Sequence, residues 1–200
     1  MQKGLIAIAT TERNSFSWSF IKSLLELNNK SGCGVVYTNI GAIDMARNHL
    51  LLMALQAKVD YVCMLDSDMI VPADGIDRLL KTMKEFDTHI GTGIYFKGEA
   101  PHDAVAFDYV DDKYYIPIKD WSKKRLVDGV GMGFTIIKKE LFGVSFGFTK
   151  HNGRLIGEDI TFCHVARQKG YKIVLDNTIK LGHIRTVAID EEYIKKNEIK

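Results

Sequence analysis

Cysteine is scarce in this 200-residue chain. Cys33, Cys63 and Cys163 lie far apart and form no Cys-x-x-Cys pair, which argues against a disulfide framework or thiolate zinc site and for a reducing compartment. Charge of one sign is equally lacking, and a net charge of +2 argues against a dedicated nucleic-acid surface. No stretch approaches the roughly 18 apolar residues that span a bilayer. The early run Leu5-Ile6-Ala7-Ile8-Ala9 is too short for a secretory signal, so a soluble, cytoplasmic protein is expected. No Gly-x-Gly-x-x-Gly follows the first apolar run and no Gly-x-x-x-x-Gly-Lys-Ser/Thr occurs anywhere, which counts against a dinucleotide-binding Rossmann site and a P-loop.

What is present is the composition of an ordinary globular protein, 46% hydrophobic and 26% charged, at a length that suits one domain with a substantial core. The chain is organised around Tyr61-Val62-Cys63-Met64-Leu65-Asp66-Ser67-Asp68-Met69-Ile70-Val71-Pro72. Its apolar, β-prone opening is too short for a comfortable helix and reads as a buried strand running into two carboxylates separated by one small residue. Side chains two apart on an extended backbone point the same way, so Asp66 and Asp68 can converge on one cation. Two hard oxygen ligands with open positions suit Mg²⁺ or Mn²⁺, which are held by one or two carboxylates together with substrate phosphates. The spacing by itself fits equally well an Asp66 that caps a turn and an Asp68 that faces water.

In chain order, Gly4 to Ala9 reads as a strand that delivers the polar loop Thr10 to Ser15 to the carboxyl edge of a parallel sheet, where ligands gather. Phe16 to Leu27 has helical spacing, Gly34 to Thr38 is a second strand, and Asp44 is the expected N-cap of an apolar helix through Ala57. Arg47 and Asn48 interrupt that helix's first turn. The Arg47 guanidinium can pair with a phosphate or with the Asp66 region, or close a local ion pair at the surface. Pro72 and Asp74 start a further helix whose apolar spacing runs to Phe86, and Ile90 to Phe96 returns to strand. This alternation predicts a parallel sheet with right-handed crossovers.

The pattern then changes. Ala104 to Val110 and Tyr114 to Ile118 flank Asp111-Asp112-Lys113 as a hairpin, and Trp121 stands in a charged loop where it can stack on a sugar or pack against a core. Gly129, Gly131 and Gly133 alternate with other residues ahead of a strand, which implies close backbone approach to a ligand or to neighbouring strands. Phe146 to Arg154 is polar and turn-rich, with Asn152-Gly153 as a turn, and is expected to be mobile. Gly157-Glu158-Asp159 opens a helix to Lys169, with Gly170 just past its end. Acidic side chains suit the first turn of any helix, and an aspartate fixed there beside a cleft can also take a proton from a hydroxyl. His164 inside that helix reads as structural. His183, between Gly182 and Ile184, is either a satisfied buried histidine or a third ligand beside Asp66 and Asp68, in a mixed oxygen and nitrogen set compatible with Mn²⁺.

Taken together, Leu65-Asp66-Ser67-Asp68, the segment Val127-Asp128-Gly129-Val130-Gly131-Met132-Gly133-Phe134, Gly157-Glu158-Asp159 and the late Gly182-His183 resemble the GT-A glycosyltransferases. Their order and spacing are similar to family 2 and related small bacterial and phage members, over nearly the whole chain. The resemblance implies a single Rossmann-like α/β domain over residues 1–200, with a mostly parallel central sheet and a smaller antiparallel portion. Residues 1–100 would form the nucleotide-sugar half, residues 101–187 the acceptor and catalytic half, and residues 188–200 a charged tail. It further implies a UDP- or GDP-linked sugar donor and a hydroxyl acceptor on a saccharide, lipid, protein or modified nucleobase.

By the same resemblance Asp66, Asp68 and His183 would hold Mn²⁺ or Mg²⁺ against the departing diphosphate. Thr10, Thr11, Glu12 and Arg13 would contact the nucleotide, and Arg47, Asp66, Ser67, Gly131, Met132 and Gly133 would line the donor site. Glu158 and Asp159 would form the catalytic pair, with Asp159 as the base of an inverting displacement. A retaining enzyme and a catalytically silent nucleotide-sugar-binding module are the alternatives. A nucleotide-sugar pyrophosphorylase shares a related fold, but it needs a glycine-rich basic loop that Ile8-Ala9-Thr10-Thr11-Glu12-Arg13 does not supply.

Overall fold

Side-chain alternation in two strands explains the layering. In β1 (Gly4–Ala9) and β3 (Tyr61–Asp66), Ile6, Ile8, Cys63 and Leu65 enter one core while Leu5, Ala7, Val62 and Met64 enter another. A strand buried on both faces belongs inside a sheet with helices on each side. Helices α1 (Trp18–Ser31) and α3 (Gly75–Glu85) cover the first face through Phe20, Leu27, Ile76, Leu79 and Met83. Helices α2 (Ile43–Gln56) and α4 (Glu158–Gln168) cover the second through Leu50, Leu51, Ala54, Phe162 and Ala166. The structure, a computed structural model, describes residues 3–10, 16–111 and 113–185. The charged tail expected at 188–200 lies outside the described residues.

The remaining strands are β2 (Gly34–Thr38), β4 (Met69–Ile70), β5 (Ile90–Ile94), β6 (Ala106–Val110), β7 (Tyr114–Pro117), β8 (Arg125–Val127) and β9 (Gly129–Val130). They are followed by β10 (Phe134–Lys138), β11 (Thr149–His151), β12 (Arg154–Ile156), β13 (Ile173–Lys180) and β14 (Gly182–His183). The central sheet has the order β2-β1-β3-β10-β5-β13-β8. Strands β2, β1, β3, β5 and β13 run one way, while β10 and β8 run the other. The strand and helix alternation of the first half therefore does not yield an unbroken parallel sheet. A strand from the second half, β10, is inserted between β3 and β5, with Phe134 opposite Leu65 and Thr135 opposite Thr92. Phe134, Ile136 and Ile137 are fully buried there, so the insertion fills both cores at the sheet's centre.

Local signals account for most element ends. Ser17 caps α1 by accepting the Phe20 N–H at 3.1 Å, and Gly32 ends it in the left-handed region at φ 64°. Asp44 is not the N-cap of α2; Ala42 holds that position without a side-chain bond, and Asp44 sits in the first turn, where the helix dipole favours an acid. The segment expected to be mobile contains most of the hairpin β11-β12. Asn152 and Gly153, at φ 49° and 77°, make its two-residue turn, which matches the twist of the flanking strands. Strands β7, β6 and β9 form a small antiparallel sheet, and β14 pairs with β4. All three cysteines are buried and free. Among the described residues no helix is long and apolar enough to cross a membrane.

Candidate active site at the sheet's switch point

The chain leaves β1 toward β2 on one side, and β3 lies on the other, so the crevice beyond the carboxyl ends of β1 and β3 is the topological switch point of the sheet. Ala9 and Asp66 stand opposite each other at that edge. Thr10 follows directly, but its N–H and hydroxyl both donate to the Thr38 carbonyl, at 3.0 and 3.2 Å, which ties it to β2. Thr11, Glu12 and Arg13 lie outside the described residues.

Arg47, on α2, is buried and spans three elements. One terminal nitrogen donates to Asp66 Oδ1 at 3.0 Å, at the end of β3, and the other bonds Glu158 Oε1 in the first turn of α4. Burial opposes its charge, and Asp66, then Glu158 and Asp159, more than offset this and hold the guanidinium above its usual value. Both terminal nitrogens are thus turned to protein carboxylates. Asn48 next to it makes reciprocal bonds with Phe146, its Nδ2 donating to the carbonyl at 2.9 Å and its Oδ1 accepting the N–H at 2.7 Å. Phe146 stacks on Phe162 of α4 with centroids 4.3 Å apart, and its ring lies 5.9 Å from the Arg47 guanidinium. The apolar first turn of α2 is interrupted because these two side chains bind α2 to β3, to α4 and to Phe146.

Asp159 is half-buried beside Glu158 and accepts the Ile160 N–H at 2.7 Å. Burial first, and Glu158 second, push its carboxyl up to about 6, while Arg47 pulls the other way. Among the described residues it has no ion-pair partner, whereas Asp66 and Glu158 share Arg47 and Asp68 faces His183.

Asp68 does not continue the strand; Ser67 and Asp68 form a turn between β3 and β4. The Asp68 carbonyl accepts the Ile184 N–H at 2.7 Å, and its carboxylate lies 3.4 Å from His183 Nε2. His183 Nδ1 is 3.0 Å from the Phe96 carbonyl, an acceptor only, so Nδ1 carries the hydrogen. In the neutral ring that leaves the Nε2 lone pair directed at a carboxylate oxygen, so both electron-pair donors would be available to a cation. An aspartate oxygen and an imidazole nitrogen suit Mn²⁺, and Asp68 with His183 fits such an ion. Asp66 is turned toward Arg47, and among the described residues no three His, Cys, Asp or Glu side chains are placed to hold a metal together.

Gly131, Met132 and Gly133 are all buried, and the close approach their sequence implies is to Tyr95. A Cβ on Gly131 would stand 2.3 Å from the Tyr95 hydroxyl, and the Gly133 N–H donates to that hydroxyl at 3.2 Å. The Gly133 carbonyl in turn accepts the Asp66 N–H at 3.0 Å, so this segment fixes the end of β3. Tyr95 also meets the His183 ring edge-on at 6.2 Å. It is the central residue that sequence reasoning missed, because a tyrosine following Gly-Thr-Gly-Ile reads like any core aromatic. Trp121 packs edge-on against Phe96 at 5.4 Å and is partly exposed.

No protein-family model matches the sequence, and no curated protein matches it. Solved structures do. Protein A197 from STIV superposes with a TM-score of 0.66 at 20% identity, over 92% of this chain and 86% of that one. GalNAc-T7, solved with UDP, GalNAc and Mn²⁺, superposes with a TM-score of 0.58 at 13% identity over 93% of this chain, which spans 44% of GalNAc-T7. With a large, mostly parallel central sheet and small antiparallel sheets beside it, this chain has the GT-A fold of the glycosyltransferases.

Proposed function

We propose that this protein is a metal-dependent glycosyltransferase that moves a sugar from a UDP- or GDP-linked donor to an acceptor hydroxyl, with inversion and with Asp159 as base. The observation that carries the reading is the division of labour among four carboxylates at one switch point. Asp66 and Glu158 are committed to Arg47, Asp68 is paired with His183, and among the described residues Asp159 has no cationic partner, its carboxyl raised to about 6. Such a group is mostly ionised at neutral pH and still basic enough to accept a proton in a transition state.

In the reaction, Asp159 takes the acceptor's hydroxyl proton as the new bond to the anomeric carbon forms. The bond from that carbon to the diphosphate oxygen breaks, and the nucleoside diphosphate leaves with the electron pair. Arg47 keeps Glu158 and Asp66 in place around the reacting groups and screens Asp159 from their charge. Asp68 and His183 would hold Mn²⁺ or Mg²⁺, with Asp66 close in the chain, and the ion when bound supplies neutralisation of the diphosphate. That GalNAc-T7 was solved with UDP, GalNAc and Mn²⁺ supports the donor class and the metal. The residues of 1–100 serve the donor in this reading, and those of 101–187 the acceptor.

Calorimetric titration of UDP, GDP and CDP into the protein, with Mn²⁺ and then with EDTA, tests the proposal. Binding of one nucleotide that disappears with EDTA is expected and names the donor class. Folded protein that binds none of the three overturns it.

A further inference from the structure

Strand β13 does not run evenly along β5. Ile173 to Asp176 pair with Ile90 to Gly93, and the next pair is Lys180 with Ile94, so Asn177, Thr178 and Ile179 are looped out of the ladder. Had the register continued, Asn177 would face Ile94 and all that follows would sit three residues, about 10 Å, further along. An odd shift also turns every later side chain to the opposite face. As built, the Leu181 N–H reaches the Ile94 carbonyl at 3.0 Å, and Gly182 and His183 pair with Ile70 and Met69. The bulge is what brings His183 to Asp68.

A single buried carboxylate holds that bulge. Asp176, 1% exposed, accepts from the Thr178 N–H at 2.9 Å, the Thr178 hydroxyl at 2.6 Å and the Thr82 hydroxyl at 2.6 Å. Lys124 Nζ lies 3.4 Å from it and donates to Thr82 Oγ1 at 2.8 Å, while Arg78 donates to the Thr178 carbonyl and hydroxyl at 2.7 and 2.9 Å. Burial opposes the ionised form, and the Thr178 and Thr82 bonds with Lys124 outweigh it, holding the carboxyl below its usual range. Gly93 lies beneath the loop, where a Cβ would stand 2.7 Å from the Ile179 carbonyl.

We infer that Asp176 is a positioning residue: its buried network sets the register jump that seats His183 beside Asp68, so the cation affinity of that pair depends on it. The inference rests on reading the pair as a cation site. The test uses Asp176→Asn and Thr178→Ala in the full chain, with Mn²⁺ alone titrated calorimetrically and the His183 ring nitrogens followed by ¹⁵N NMR without metal. Asp176→Asn is expected to weaken Mn²⁺ binding by about tenfold or more, as loss of outer support does at metal sites. The His183 signals should move from a fixed Nδ1–H tautomer toward averaged, solvent-exposed values, while those of His89, which precedes β5 and packs edge-on against Tyr171 at 4.7 Å, stay. Thr178 is exposed, so Thr178→Ala carries the same comparison, with a smaller loss, where Asp176→Asn does not fold. Folded variants with unchanged His183 signals and Mn²⁺ affinity within about twofold of the parent overturn the inference. If the parent binds no Mn²⁺, the cation reading fails, and the NMR comparison alone decides whether Asp176 places His183.

Discussion

Replacing Arg47 by methionine keeps much of the side chain's volume and removes the cation between two carboxylates. The Arg47 side chain is 6% exposed and that of Glu158 12%, so their pairing is well shielded, whereas Asp66, at 32%, is partly screened by water. Removing one member of a buried pair costs about 3–5 kcal/mol, because the other charge is left uncompensated. The Asp66 half is discounted toward the value of a surface pair, about 0–1 kcal/mol. A loss of about 3–4 kcal/mol at pH 7 is expected, or roughly 10 °C in melting temperature for a domain of this size. Arg47 is held above its usual value, so the guanidinium stays charged throughout the neutral and acidic range. In the variant, an unpaired carboxylate in low-dielectric surroundings takes up a proton more readily, so the loss should shrink as pH falls from 7 to 5. Urea denaturation of the parent, Arg47→Met and Arg47→Met/Glu158→Gln at both pH values reads this out. The double variant should recover about 1 kcal/mol or more of the loss. A loss below about 1 kcal/mol at pH 7, or an equal loss at both pH values, refutes the argument that the Arg47 pairs are buried and coupled.

Asp159→Asn should leave metal-dependent nucleotide binding in place and lower transfer by about 10²–10⁴-fold; full transfer in that variant removes Asp159 from the base role. In the parent the transfer rate should rise as pH passes about 6 and Asp159 ionises, and a rate that is flat from pH 5 to 7 contradicts this. Because the folded state binds this proton more tightly than the unfolded state, stability from Asp159 is present below its ordinary value of 3.8 and is lost as pH rises through about 6. Denaturation between pH 4 and 7 should therefore show the parent losing stability relative to Asp159→Asn, and the opposite slope counts against a desolvated carboxyl. Asp68→Asn should abolish Mn²⁺-dependent nucleotide binding without changing the circular dichroism spectrum. Gly131→Ala, which sets a methyl group 2.3 Å from the Tyr95 hydroxyl, should cost about 1–3 kcal/mol in thermal denaturation, partly recovered by Tyr95→Phe.

Much of the fold is legible in local chemistry. The apolar runs of β1 and β3, the Ser17 cap and the Asn152-Gly153 turn each act through contacts within a few residues. The strand end at Asp66 was readable for the same reason, as was the acidic start of α4. What the sequence alone determined is this set of elements and the order in which carboxylates, glycines and His183 arrive. Tertiary structure alone decided which of them meet. Arg47 and Glu158 are 111 residues apart and pair because α2 and α4 cover the same face of the sheet. Strand β10 enters between β3 and β5, Gly131 and Gly133 close on Tyr95, and the bulge in β13 sets His183 beside Asp68. Propensity and periodicity fix the conformation of neighbouring residues, but a long-range pair forms only where the closing of whole surfaces makes its burial favourable.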